Sequence, residues 1–149
     1  MKKYIGVLSI VYIIAIILRL KDTQKSFYQY REEFEKMRQQ LKTISKRQNP
    51  FIMMKFTNFI VYFFLILYYI ANLILFDNYL VITIFSYLLI FVGLFKLGRK
   101  LSINSVSDFK ALAQSTPQEY EKQKRIDFCL GLVEFAYAFN ALSLISFYH

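Results

Sequence analysis

The sequence predicts an all-α integral membrane protein with four transmembrane helices and a basic helical stem between spans one and two. Hydrophobic residues make up 56% of the 149 residues and are concentrated in four blocks, an excess over the apolar share of soluble domains. All 19 lysines and arginines except Lys2 and Lys3 lie in two segments between these blocks, Arg19 to Lys55 and Lys96 to Arg125. At this length we expect a single membrane domain over residues 1–149.

The four apolar blocks predict spans at about residues 4–20, 56–76, 79–97 and 126–148. A hydrocarbon core of about 30 Å takes roughly 20 mostly apolar residues to cross, a length that blocks two and four reach and the other two approach. The first block also has the length of a secretory signal preceded by lysines. No small-residue cleavage site follows it, and Arg19 and Lys21 supply stop-transfer charge. We therefore expect an uncleaved span rather than a processed or surface-lying segment.

The distribution of positive charge predicts the topology. Lysines and arginines that flank a span stay on the cytoplasmic side during insertion. Both basic segments are therefore expected on the cytoplasmic side of a bacterial plasma membrane or, alternatively, on the matrix side of the mitochondrial inner membrane. Spans two and three are joined only by Asp77 and Asn78, which fits a tight helical hairpin. These observations together predict a topology of four spans with both chain ends on the outer side.

Two capping signals mark where helices begin. Asn49 followed by Pro50 is typical of an N-cap with proline at the first helical position. Thr116 followed by Pro117 and Glu119 predicts a capping box at the start of the fourth span, and no breaker follows before Tyr148.

The segment at about residues 101–115 is predicted to be interfacial. It places Val106, Phe109 and either Leu112 or Ala113 on one side of a short amphipathic helix. We expect this helix to lie at the membrane surface.

The stem, predicted over about residues 21–48, carries an apolar seam at alternating spacings of three and four. Three uses of this seam are open: packing against the cytoplasmic parts of its own chain, pairing with another subunit or a second copy, and lying on anionic lipid headgroups. As a partner-binding surface, the seam consists of Phe27, Tyr30, Phe34, Met37, Leu41 and Ile44.

Four polar residues are predicted to lie within or at the edge of the spans: Glu134, Asn72, Arg19 and Asn140. Glu134 follows Arg125 by nine residues, about 13 Å along a helix, and an ionisable group at that depth normally faces a partner or water. An ion pair or hydrogen bond with Arg19 or another subunit, and a proton or ion pathway, are both open. Asn140 lies on the opposite side of the fourth span, which predicts protein contact there too.

The residue inventory argues against catalysis. Cys129 and the terminal His149 are the only residues of their kinds, so a chain lacks the residues for a thiol-redox pair, a Ser and His protease site or a histidine metal site. No nucleotide loop or acidic metal cluster appears. We expect no enzyme activity, no cofactor and no metal. Nucleic acid is not an expected ligand, because topology already explains the positive charge.

The remaining function is a non-catalytic membrane subunit, an accessory, assembly or structural component of a larger complex. Its expected partners are other membrane subunits or copies of itself, together with anionic lipid headgroups. A small oligomeric channel or transporter that uses Glu134 is one alternative. Over residues 1–100 the order of a span, a helical stem and a two-span hairpin resembles the Oxa1-type membrane insertase superfamily in topology alone, and this resemblance implies an insertase or chaperone. The fourth span departs from its three-span members.

Overall fold

The structure, a computed structural model, describes residues 1–111 and 116–147. These residues form six helices and no strand. The helices are α1 Lys2–Asp22, α2 Phe27–Ser45, α3 Pro50–Leu75, α4 Leu80–Leu101, α5 Val106–Ala111 and α6 Pro117–Phe147. Helices α1, α3, α4 and α6 are long and apolar enough to span a membrane. The predicted fold class, an all-α membrane protein with four such helices, is confirmed.

The spanning helices form two closely packed pairs. The turn at residues 76–79 joins α3 and α4 into a hairpin, and α1 lies along α6, whereas α1 meets α3 and α4 meets α6 over smaller areas. Aromatic and aliphatic side chains fill the core where the two pairs meet. Its buried members are Ile5, Tyr68, Tyr69, Phe76, Ile82, Leu89, Tyr137 and Ala141.

Most of the apolar surface of the spanning helices faces outward. Only 17–28% of the most apolar stretch of each helix is buried within the protein. The remainder is a continuous hydrophobic surface far larger than soluble proteins expose, and it needs lipid or another protein to cover it. The four helices therefore form a thin bundle rather than a closed globular core.

Both predicted caps are present. The Asn49 side-chain oxygen accepts from the backbone N–H of Phe51 at 3.1 Å, and the Thr116 hydroxyl accepts from the backbone N–H of Glu119 at 3.2 Å. Helix α6 then continues without a break to Phe147. Its expected last residue, Tyr148, lies outside the described residues.

The stem does not form the single segment expected over residues 21–48. Helix α1 continues to Asp22, residues 23–26 turn, and α2 extends only from Phe27 to Ser45. The break falls here because Ser26 and Gln29 form a capping box, in which each side chain accepts from the backbone N–H of the other residue. This arrangement satisfies N–H groups that a continuous helix would have used itself.

A second cluster of buried residues joins the stem to the rest of the basic end. Its buried members are Leu41 of α2, Phe51 of α3, Ile103 between α4 and α5, and Phe109 of α5. Phe109 is stacked on Phe34 with the ring centroids 4.8 Å apart. The α5 part of the predicted interfacial segment thus presents Phe109 to protein, while Leu112 and Ala113 lie outside the described residues. The two basic segments meet at one end of the bundle.

Candidate functional site

An ion pair joins α1 to α6 inside the apolar part of the bundle. The guanidinium of Arg19 contacts the carboxylate of Glu134. The Glu134 side chain is 5% exposed and that of Arg19 41% exposed, so the acid is enclosed and the base reaches outward. Among the described residues, the contacting Glu134 oxygen makes no hydrogen bond besides this ion pair. Of the two partners that the sequence leaves open for Glu134, the structure brings Arg19 to it.

Small residues on α6 allow this pair to form. Gly131, Ala138 and Ala141 are buried on the same stripe as Glu134. A methyl group added at Gly131 would lie 2.5 Å from the Leu20 side chain, so α1 approaches the α6 backbone here as closely as a glycine permits. The close approach sets Arg19, the neighbour of Leu20, within reach of a carboxylate one turn along α6.

Hydroxyl pairs connect the two helix pairs across the core. Ser9 of α1 is 2.6 Å from the hydroxyl of Tyr68 on α3, and Ser86 of α4 is 2.6 Å from that of Tyr137 on α6. The hydroxyls of Tyr12 and Tyr69 are also hydrogen-bonded. Because a membrane interior supplies no water, such pairs replace the hydration that these groups lose.

Asn72, one of the predicted polar residues, is fully buried on α3. Its amide nitrogen donates to the backbone oxygen of Tyr68 at 3.0 Å, whereas its side-chain oxygen has no partner among the described residues. The structure therefore places Asn72 in the packed core, away from the ion pair.

A groove of about 400 Å³ separates α1 from the α3–α4 hairpin. Its lining is mainly apolar and aromatic along the membrane-spanning part, with residues such as Val11, Val61 and Leu65. Arg19 and Glu134 lie at one end of the groove, beside Tyr62, Lys96 and Lys100. The ion pair is thus part of the groove wall rather than an isolated structural contact.

A polar vestibule of about 530 Å³ continues from that end. It shares Arg19, Tyr62, Lys96 and Lys100 with the groove, so the two cavities are adjacent. Cations outnumber carboxylates in its wall. The charged residues that line it are Arg19, Lys25, Lys96, Arg99, Lys100 and Lys124, with Asp22, Glu33 and Asp127.

The cations of the vestibule differ in how they are neutralised. Lys25 binds Glu33 at 2.8 Å, and this hydrogen bond raises the pKa of its ammonium group. No carboxylate of the described chain lies within 4 Å of Lys96, Arg99 or Lys100. Lys100 instead lies over the ring of Tyr62, 5.6 Å from its centroid. Among the described residues, the mouth of the groove therefore carries more positive than negative charge, and Asp127 acts on Lys96 only from beyond ion-pair distance.

The apolar seam of the stem is largely used within the chain. Phe27 and Tyr30 pack on Tyr120 at the start of α6, the two tyrosine rings stacked with centroids 4.7 Å apart. Phe34 and Leu41 belong to the second cluster. Met37 and Ile44 are about half exposed. Four of the six predicted partner-binding residues therefore make contacts within the chain.

Lys96, Lys100 and Tyr120 are site residues that the sequence analysis did not single out. Lys96 and Lys100 are one helical turn apart and lie on the same face of α4 as the buried Gly93. Their spacing of four residues is the sequence signal that could have predicted this common face. For Tyr120 the signal is an aromatic residue within the charged start of α6, where its hydroxyl donates to the backbone oxygen of Lys25 at 2.6 Å.

The groups that line the site are mainly apolar side chains and cations. Among residues 1–111 and 116–147, no three histidine, cysteine, aspartate or glutamate side chains lie together as metal ligands would. The site instead combines an apolar groove with a cationic mouth. No protein-family model matches the chain, and neither a curated protein nor a solved structure shows significant similarity to it.

Proposed function

We propose that this protein is a non-catalytic membrane assembly component that holds a membrane segment of a partner protein in the groove between α1 and the α3–α4 hairpin. The observation that carries the proposal is the continuity of the apolar groove with the cationic vestibule at Arg19, Lys96 and Lys100. A ligand that fills both cavities is apolar along the membrane and negatively charged where it leaves it. An apolar helix followed by an acidic residue has that pattern.

The charge of the mouth favours such a partner. Lys96 and Lys100 lie at the end of a spanning helix, and no carboxylate of the described residues is within 4 Å of either ammonium group. A carboxylate placed between them gains an ion pair in surroundings less screened than bulk water. The positive-inside rule puts the vestibule on the cytoplasmic side of a bacterial plasma membrane, or on the matrix side of a mitochondrial inner membrane.

The stem contributes a smaller surface to this proposal. With Phe27, Tyr30, Phe34 and Leu41 packed inside the chain, Met37 and Ile44 are the seam residues left half exposed. They provide an apolar contact for the cytoplasmic part of the bound protein, and the basic side chains around them suit anionic lipid headgroups.

An insertase or chaperone of the Oxa1 type is the second candidate. The groove with Arg19 at its basic end supports it, because a segment entering the membrane from that side would meet the vestibule before the apolar groove. The two candidates differ in whether the segment stays or leaves. A channel built on Glu134 has less support, because this carboxylate is enclosed in an ion pair.

A photo-crosslinking amino acid placed at Val61 tests the proposal. Val61 lines the groove and is 57% exposed, and Leu94, on the outer surface of the same hairpin and 53% exposed, is the matched control. Irradiation of native membranes should join Val61 to a protein of defined mass and Leu94 to lipid. Lipid adducts alone at Val61 would overturn the proposal. Adducts to many newly made proteins would favour the insertase, and one constant adduct the assembly subunit.

Charge reversal at the mouth separates electrostatic recognition from shape. Lys96→Glu with Lys100→Glu should reduce the Val61 adduct several-fold. Lys122→Glu with Lys110→Glu makes the same change in net charge outside the vestibule lining and should leave it unchanged.

A further inference from the structure

Asn140 places an exposed amide in the membrane-spanning part of α6. It follows Ile126, where the apolar block begins, by 14 residues, about 21 Å of helix in a core of about 30 Å. Its side chain faces outward and makes no hydrogen bond with any described residue. Hydrocarbon supplies neither a donor nor an acceptor, so an amide facing lipid at this depth is costly. We therefore expect a hydrogen-bonding group of another protein chain to contact the Asn140 amide.

The residues that flank Asn140 on this face are small and uncharged, and the half-exposed Leu132 lies between them and Cys129. Ala136 and Ser143 lie one turn away on either side, and Cys129 lies on the same line two turns further toward the basic end. Their spacings of seven, four and three are those of a helix-pairing seam. Small side chains allow two membrane helices to approach closely, which brings a polar group near its counterpart.

We propose that this face, defined by Cys129, Ala136, Asn140 and Ser143, pairs with the same face of a second copy of the chain. Copies inserted in one membrane share one orientation, so two α6 helices run parallel about a two-fold axis along the membrane normal. Each residue of the seam then meets its own counterpart at the same depth. An asparagine amide both donates and accepts, so two Asn140 side chains satisfy each other. The Ser143 hydroxyl can pair with its counterpart in the same way, but it lies three residues nearer the outer end of the span, so Asn140 is the deeper of the two self-complementary groups.

The proposed dimer is independent of the groove. The α6 stripe of Gly131, Glu134 and Ala138 is buried toward α1, whereas Asn140 and Ala136 point away from the bundle. The groove lies between α1, α3 and α4. Pairing through α6 therefore leaves the groove open, and failure of one proposal does not imply failure of the other.

The native cysteine reports on the pairing directly. In a parallel dimer, two Cys129 thiols face each other, and oxidation by copper phenanthroline in native membranes removes two electrons and two protons to form a disulfide. A band at twice the chain mass on a non-reducing gel is expected, reversed by dithiothreitol. Moving the cysteine along the seam, as Cys129→Ala with Ala136→Cys, should preserve the band. Moving it about 100° around the exposed surface, as Cys129→Ala with Phe128→Cys, should abolish it, because Phe128 is 39% exposed but does not lie on the seam.

Asn140 itself is tested by substitution in the Ala136→Cys background. Asn140→Leu should weaken dimerisation by roughly 3- to 30-fold, and Asn140→Gln, which keeps an amide, should largely restore it. Unchanged helical content and thermal transition show that each variant is folded. Equal crosslinking at Ala136 and Phe128, or dimerisation indifferent to Asn140→Leu, would overturn the proposal. A crosslink to a protein of different mass would overturn it too, by showing that another chain covers Asn140.

Discussion

At the scale of single residues, the Arg19 and Glu134 pair is asymmetric. Glu134 is enclosed between helices, whereas Arg19 borders the vestibule and keeps access to polar surroundings. The penalty for losing a partner depends on how well the remaining charge is solvated. The two residues should therefore respond differently to the same loss.

Arg19→Met should destabilise the protein by about 3 kcal/mol, because it leaves an enclosed carboxylate without its cation. Glu134→Gln should cost about 1 kcal/mol or less, since Arg19 is already 41% exposed and a polar amide remains beside it. Thermal unfolding in a mild detergent measures both. Arg19→Met combined with Glu134→Leu should recover most of the loss, and equal effects of the two single substitutions would contradict the asymmetry.

At the scale of the elements, two glycines on spanning helices carry different constraints. An added methyl group at Gly131 would be 2.5 Å from a Leu20 side-chain carbon and 3.2 Å from another, whereas at Gly93 it would be 3.8 Å from Ile66. The first spacing requires movement and the second is ordinary van der Waals contact. The α1–α6 pair is therefore the one held together by a glycine.

Gly131→Ala should destabilise the protein by about 1–3 kcal/mol through overpacking against α1. The matched control, Gly93→Ala, should be neutral or slightly stabilising because alanine favours a helix. Disulfide formation between cysteines placed at neighbouring α1 and α6 positions would show whether the helices separate. A milder effect at Gly131 than at Gly93 would be inconsistent with the close approach.

The stem helix α2 depends on the start of α6 for its position. Tyr120 contributes both a ring stacked on Tyr30 and a hydroxyl that donates to the backbone of Lys25. Few other contacts join α2 to α6. Local opening of the first turns of the stem should therefore be governed by this single side chain, whereas the second cluster holds the later turns through Leu41.

Tyr120→Ala should make tryptic cleavage within α2 roughly ten-fold faster, which corresponds to about 1.4 kcal/mol of local opening free energy. Tyr120→Phe keeps the stacked ring and should give an intermediate rate. Tyr28, which is 84% exposed, provides the control: Tyr28→Ala should cleave at the wild-type rate. A rate unaffected by Tyr120→Ala would show that the stem is held elsewhere.

At the scale of the whole molecule, the charge distribution is polarised along the bundle axis. The net charge is +9, and contacts such as Phe34 with Phe109 and Tyr120 with Lys25 bring both basic segments to one end. The opposite end carries fewer charges, Lys2 and Lys3 at the start of α1 and Asp77 in the α3–α4 turn. This polarity is the basis for predicting the orientation in a membrane.

Single cysteines in a Cys129→Ser background test that orientation in intact bacterial cells. Asn78→Cys should react with a membrane-impermeant maleimide, and Gln39→Cys should react only after permeabilisation. Both positions are exposed on the protein, so differences in labelling report the side of the membrane. Labelling of Gln39→Cys from outside would reverse the topology and place the vestibule on the outer side.

The sequence by itself determined the spanning helices, their caps and the basic character of the connecting segments. These features depend on runs of neighbouring residues, such as the apolar block after Pro50 or the Thr116 cap, whose physical effect is local. It also indicated that Glu134 needs a partner.

The tertiary structure determined the contacts between residues that are far apart in the sequence. Arg19 contacts Glu134, 115 positions away in the sequence, because Gly131 lets α1 pack closely on α6. The stem seam packs on Tyr120 and Phe109. The groove exists because the two helix pairs meet over a small area.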